Sequence, residues 1–147
     1  MPKVAIIMGS KSDAEIMKKA EDFLSEHKIN FETVVASAHR NPEKVQALAK
    51  RFETECDVVI AAAGMAAHLP GVMASLVTIP VIGVPINASL QGLDSLLAIV
   101  QMPPGIPVAT VGINGSKNAA ILAMEIIALS NSDAKASLLE FRKKQSQ

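Results

Sequence analysis

Five short apolar runs, separated by longer stretches of helical periodicity, restrict this chain to an α/β architecture. Val4-Ala5-Ile6-Ile7-Met8 is apolar at every position, the mark of a strand covered on both faces, because a strand with one wet face would alternate. Phe31–Ala36, Val58–Ala62, Pro80–Val84 and Pro107–Val111 read as four more strands, with Pro85 expected to stop the fourth. Between them, Ser12 is placed to cap a helix with Glu15 reaching back to complete a capping box. Ile16, Met17, Ala20, Phe23 and Leu24 then recur at helical spacing. Asn41-Pro42 joins a side-chain cap to a proline in the first turn, and Val45, Leu48, Ala49 and Phe52 form the inward stripe of that second helix. Further helices are expected over Leu69–Leu76, Leu93–Val100, Lys117–Leu129 and about Ser132 to Lys144. Strands alternating with helices imply right-handed crossovers and a three-layer α/β/α sandwich around a central parallel sheet. No linker or repeat divides residues 1–147, so one domain is expected.

A compact chain of 147 residues buries roughly 68–70% of the surface exposed when unfolded, enough for one substantial core. Hydrophobic residues make up 50% and charged residues 19%, against averages of roughly 45–50% and about 25%. So small a charged fraction favours subunits that cover one another, a homo-oligomer. Asn118–Leu129 carries a single charge, Glu125, and is apolar around most of its circumference. A helix outside a single sheet needs a polar face, so this one is expected at a subunit interface, packing under the C-terminal helix being the alternative. The last helix, about 132–144, is itself expected to pack in the oligomer.

Fourteen basic residues balance fourteen acidic ones, and no basic run is interleaved with aromatics, which argues against nucleic-acid partners. The single Cys56 rules out an internal disulfide framework and, just before Asp57-Val58-Val59-Ile60, reads as an inert thiol at a helix-to-strand junction. With no readable signal peptide and no unbroken apolar stretch of membrane-spanning length, a cytoplasmic, membrane-free protein is expected.

Chemistry is sought where strands give way to helices, since ligands of open parallel sheets bind at that edge. Gly9-Ser10-Lys11-Ser12-Asp13 follows the first strand. Gly9 permits a tight turn, the Ser10 and Ser12 hydroxyls and free helix N–H groups favour an anion, and Asp13 either complements the helix dipole or accepts hydrogen bonds from sugar hydroxyls. Taken alone, the segment is equally an ordinary decorated cap. It lacks the dinucleotide and triphosphate-loop patterns. Ser37-Ala38-His39-Arg40 follows the second strand with no acid nearby in sequence. An imidazole exchanges protons near neutral pH and a guanidinium grips phosphate or carboxylate; a surface histidine beside a structural arginine is the alternative. After the third strand, Gly64 and its small neighbours admit close backbone approach, and His68 either closes the pocket or is a hydrogen-bonded residue near a helix start. His27, His39 and His68 have no metal-ligand spacing, so neither metal nor cofactor is expected.

Together, Met8-Gly9-Ser10-Lys11-Ser12-Asp13, Ser37-Ala38-His39-Arg40, Ala66-Ala67-His68-Leu69-Pro70-Gly71, Gly83-Val84-Pro85 and Gln101-Met102-Pro103 through Ala109-Thr110 resemble the phosphoribosylaminoimidazole carboxylase catalytic-subunit family. The similarity is nearer to its class I, N5-carboxyaminoimidazole ribonucleotide mutase form, and follows the family's order over nearly the whole chain. It implies a flavodoxin-like sheet and octamers with active sites at subunit boundaries. It implies further that Ser10, Ser12, Ser37 and Arg40 hold a 5′-phosphate, that Asp13 binds ribose hydroxyls and that His39 is the acid/base. Backbone near Gly64 and the His68 loop would then enclose the base and its carboxylate. Two rival functions stand beside this: class II carboxylation of aminoimidazole ribonucleotide with free carbon dioxide, and a non-catalytic flavodoxin-like mononucleotide-binding domain. The chain departs from the mutase pattern at Met65, where a second glycine is usual, and in the Gly112-Ile113-Asn114-Gly115-Ser116 turn.

Overall fold

A computed structural model describes residues 1–147. Its elements run β1 (Lys3–Met8), α1 (Ala14–Glu26), β2 (Asn30–Val35), α2 (Pro42–Glu55), β3 (Val58–Gly64), α3 (Leu69–Leu76), β4 (Val81–Ile86), α4 (Leu93–Val100), β5 (Ala109–Thr110), α5 (Ser116–Ile127) and α6 (Ser132–Gln145). The five strands form one sheet in the order β2-β1-β3-β4-β5, every pair parallel. This is the flavodoxin-like order, with a topological switch between β1 and β3.

Alternation along the buried strands sorts the core into two layers. Val4, Ile6, Met8, Val58, Ile60, Ala62, Ile82 and Val84 face Met17, Phe23 and Leu24 of α1 and Ala120, Ala123 and Met124 of α5. Their neighbours Ala5, Ile7, Val59, Ala61 and Val81 face Val45 and Phe52 of α2, Met73 of α3 and Ile99 of α4. Apolar side chains on both faces are what continuous apolar strands require. Gly83 is set by packing: a Cβ there would lie 2.4 Å from Ile99 Cγ2 and 3.1 Å from Val108 Cγ1.

Three expectations change. Pro85 lies inside β4 opposite Ala63. Its carbonyl accepts from Asn114 N–H at 2.8 Å on the side β5 has already left, and N and O of one residue share a side in a parallel strand, so the missing N–H leaves no gap. The fifth strand shrinks to two residues paired with Ile82 and Gly83. The Ser12–Glu15 capping box does not form. Instead Ser10 Oγ accepts from Ser12 N–H at 3.3 Å and caps a 3-10 turn over Lys11–Asp13. Within the chain, the apolar α5 packs under α6, the alternative given for its cover, with Ala134 and Leu138 buried and Phe141 meeting Phe23 edge-on, centroids 5.3 Å apart.

Away from the loops that follow the strands, Glu32 of β2 joins β1 and α2. Its carboxylate meets Lys3 Nζ at 2.7 Å and both terminal nitrogens of Arg51 at 2.7 Å, and Arg51 also reaches Glu55 at 3.0 Å. The Arg51 hydrogen bonds, followed by the Lys3 contact, hold the Glu32 carboxyl at about 2. No helix is long and apolar enough to cross a membrane.

Candidate active site

The loops after β1, β2 and β3 meet beside the β1/β3 switch and, with Ala88 beyond β4, line a cavity of about 240 Å³. Inter-strand bonds fix them: Gly9 N–H donates to the Ala62 carbonyl at 3.2 Å and Ala36 N–H to Met8 at 3.0 Å. Ser10 is extended before the 3-10 turn, which places its hydroxyl 2.9 Å from that of Ser12. Two adjacent hydroxyls present donors to an oxyanion, while the turn's Ser12 and Asp13 N–H groups are already donated to Ser10 Oγ and the Ser10 carbonyl. Asp13, 7% exposed, closes this corner; burial pushes its carboxyl up, opposed by a hydrogen bond from the Ser10 backbone.

Across the cavity, His39 Nε2 lies 2.6 Å from His68 Nδ1, the rings edge-on with centroids 4.7 Å apart. One nitrogen must carry the proton and the other the lone pair, so each ring fixes the other's tautomer. His68 is free to do this because it precedes α3 without capping it through its side chain.

Of the residues singled out by sequence, Ser10, Ser12, Asp13, Ser37, His39, Gly64 and His68 line this one cavity. Arg40 does not. Its Nη2 donates to the Gly9 carbonyl at 3.1 Å and its N–H to Ser37 Oγ at 3.2 Å, which ties the second loop to the first and leaves a cation at the rim. Ala88 was not legible: it closes the wall against Gly64, where a Cβ would come within 2.9 Å of the Ala88 Cβ. Nor was Asn114, in the turn that departs from the family pattern. At φ 58°, an angle asparagine tolerates, its Oδ1 accepts from Asn87 N–H at 2.9 Å and braces the β4 loop. Met65, at the other departure, keeps a left-handed φ of 56° although it is not glycine. No cluster of His, Cys, Asp and Glu could hold a metal ion.

Residues 3–147 match the family model described as AIR carboxylase. The chain is 57% identical over 141 residues to the N5-carboxyaminoimidazole ribonucleotide mutase of Methanocaldococcus jannaschii, covering 96% of this chain and 88% of that one. It is 56% identical over 144 residues to the same-named protein of Pyrococcus abyssi, covering 97% and 83%. In structure it is similar to the crystal structure of Treponema denticola PurE, with a TM-score of 0.88 at 27% identity over 100% of this chain and 93% of the other. With a matching family model, like-named relatives of similar length and a shared fold all in agreement, the chain belongs to the AIR carboxylase family.

Proposed function

We infer that the protein is an N5-carboxyaminoimidazole ribonucleotide mutase, moving a carboxylate from the exocyclic nitrogen of an aminoimidazole ribonucleotide to ring carbon C4 in purine biosynthesis. The observation that carries the reading is the seating of the His39–His68 pair across one small cavity from the Ser10–Asp13 loop. An acid/base group thus faces an anion site at nucleotide scale. The names of the relatives favour the mutase over class II carboxylation.

Ser10, Ser12 and Ser37 hold the 5′-phosphate, with Arg40 supplying charge from the rim, and Asp13 accepts from the ribose hydroxyls. His39 as imidazolium protonates the exocyclic nitrogen as its N–C bond breaks. The bonding pair stays on nitrogen and carbon dioxide is released inside the site. The enamine-like C4 attacks that carbon dioxide, forming the C–C bond, and neutral His39 removes the C4 proton to restore the aromatic ring. Its proton returns to where it began, so no co-reactant is consumed. General acid/base action of this kind contributes about 10²–10⁴-fold, and recapture within an enclosed site exploits proximity. His68 positions the His39 ring, and backbone at Gly64 admits the base.

The protein works as a single catalytic domain over residues 1–147, in the cytoplasm, as a homo-oligomer. An octamer is the assembly that the family resemblance implies. An apolar stripe on α4, Leu93, Leu97 and Val100, is about half exposed in the isolated chain and supports such association. Light scattering tests the mass. For the chemistry, His39→Asn is expected to fold and bind nucleotide while losing conversion of the N5-carboxylated substrate, assayed without added bicarbonate. Near-normal turnover would remove His39 from the mechanism, and turnover only with aminoimidazole ribonucleotide and carbon dioxide would establish the class II reaction.

A further inference from the structure

Among the cavity-lining residues that the mechanism leaves unused is Met65. It follows Gly64 at the end of β3 and lines the same cavity as His39 and His68. Two positions away on either side the chain is buried, Ala63 at 8% and Ala67 at 1% exposed, yet Met65 is 60% exposed, with its neighbour Ala66 exposed too. Its backbone is held at φ 56°, where a Cβ crowds the following carbonyl and glycine is the unstrained choice. Two features shape the loop around it. Gly64 leaves no room for a side chain beside Ala88, since a Cβ there would lie 2.9 Å from the Ala88 Cβ, and His68 N–H donates to the Ala66 carbonyl at 2.8 Å in a tight turn. Strain of this kind persists where surroundings enforce it, and it gathers at functional sites. Here it holds a long, flexible thioether at the mouth of a small cavity, otherwise walled near His39 by the small residues Ala38, Gly64 and Ala66.

We propose that Met65 is a gate, a positioning residue whose side chain folds over the flat face of the bound heterocycle and retains the carbon dioxide released there. The inference rests on the mutase reading. A thioether suits this role, since three rotatable bonds let it swing aside for entry and sulfur makes favourable contacts with aromatic rings. It offers carbon dioxide no nucleophile and no strong hydrogen bond.

The test follows the fate of substrate labelled with carbon-13 in its N-carboxylate, turned over in unlabelled bicarbonate, and reads the fraction of label lost to solution per C4-carboxylated product. Three variants separate side chain from backbone. Met65→Leu keeps both bulk and the strained φ, Met65→Ala keeps the strain without the bulk, and Met65→Gly loses both. Label loss is expected to rise about fivefold in the Ala and Gly variants, the factor matching loss of about 1 kcal/mol of apolar contact with the ring, and to stay near wild type in Leu, which keeps that bulk. Equal retention in Ala and Leu, or leakage in Gly alone, would overturn the gate. Wild-type protein that makes no C4-carboxylated product would instead overturn the mutase reading. Wild-type turnover with unchanged retention in Ala sinks only the role of Met65.

Discussion

Replacing Glu32 with glutamine is expected to weaken the fold near neutral pH and to matter progressively less in acid. The carboxylate bridges Lys3 of β1 and Arg51 of α2 at 2.7 Å each, and its proton affinity sits at about 2 against an ordinary 4.5. A carboxyl depressed on folding contributes stability fully above its unfolded value and loses that contribution as pH falls through the folded one. The window therefore runs from about pH 4.5 down to about pH 2. At 1.36 kcal/mol per decade the displacement bounds the effect at about 3.4 kcal/mol. The side chain is 23% exposed, so solvent screens the pair, and the glutamine carbonyl still accepts from Arg51, which also keeps Glu55. A cost of about 1.5 kcal/mol near pH 7 is what remains after that discount. Urea unfolding of both proteins near pH 7 and about pH 3 measures it: the difference should shrink to less than half at the lower pH. A difference that is the same at both would show that the loss comes from packing, and the electrostatic account would fail.

Asp13→Asn is expected to stabilise the fold near pH 7, by about 0.5–2 kcal/mol, because burial raises the Asp13 carboxyl and folding therefore opposes its charge. The gain should vanish as pH falls to where Asp13 is protonated in both states, and KM for the nucleotide should rise; a destabilised variant would show that the buried charge is compensated. Arg40→Ala is expected to weaken binding of the phosphorylated nucleotide by about 10- to 100-fold, the worth of a charged hydrogen bond, and to leave the unphosphorylated nucleoside unaffected by calorimetry. Gly83→Ala drives a Cβ into Ile99 Cγ2 and should cost about 1–3 kcal/mol in urea unfolding, part of it recovered by adding Ile99→Leu, which removes that branch.

The framework could be read because its signals are local. Leu69–Leu76 and Leu93–Val100 match the expected helices at both ends, and Asn41 caps α2 through its side chain with Pro42 in the first turn. What misled the reading depends on partners distant in the chain. Pro85 breaks a strand only if its nitrogen faces a neighbour, and the neighbour there had already turned away. Circumferential apolarity in α5 signalled double cover, but no periodicity says whether α6 or another subunit supplies it. At the site, His39, Gly64 and the serines announced themselves at strand ends. Ala88 and Asn114 did not, since alanine and asparagine acquire their meaning from Gly64 and Asn87 across the sheet edge. The contact between His39 and His68 spans 29 positions and has no signature in spacing.

Every residue lining the cavity lies at or before Ala88, and α4, β5, α5 and α6 supply none of its wall. Chemistry and scaffolding are thus inherited as consecutive stretches of one gene product. The division is one of lining alone, because α5 packs Ala120, Ala123 and Met124 beneath the very strands that carry the reactive loops, and Asn114 braces the turn after β4 from the far half of the chain.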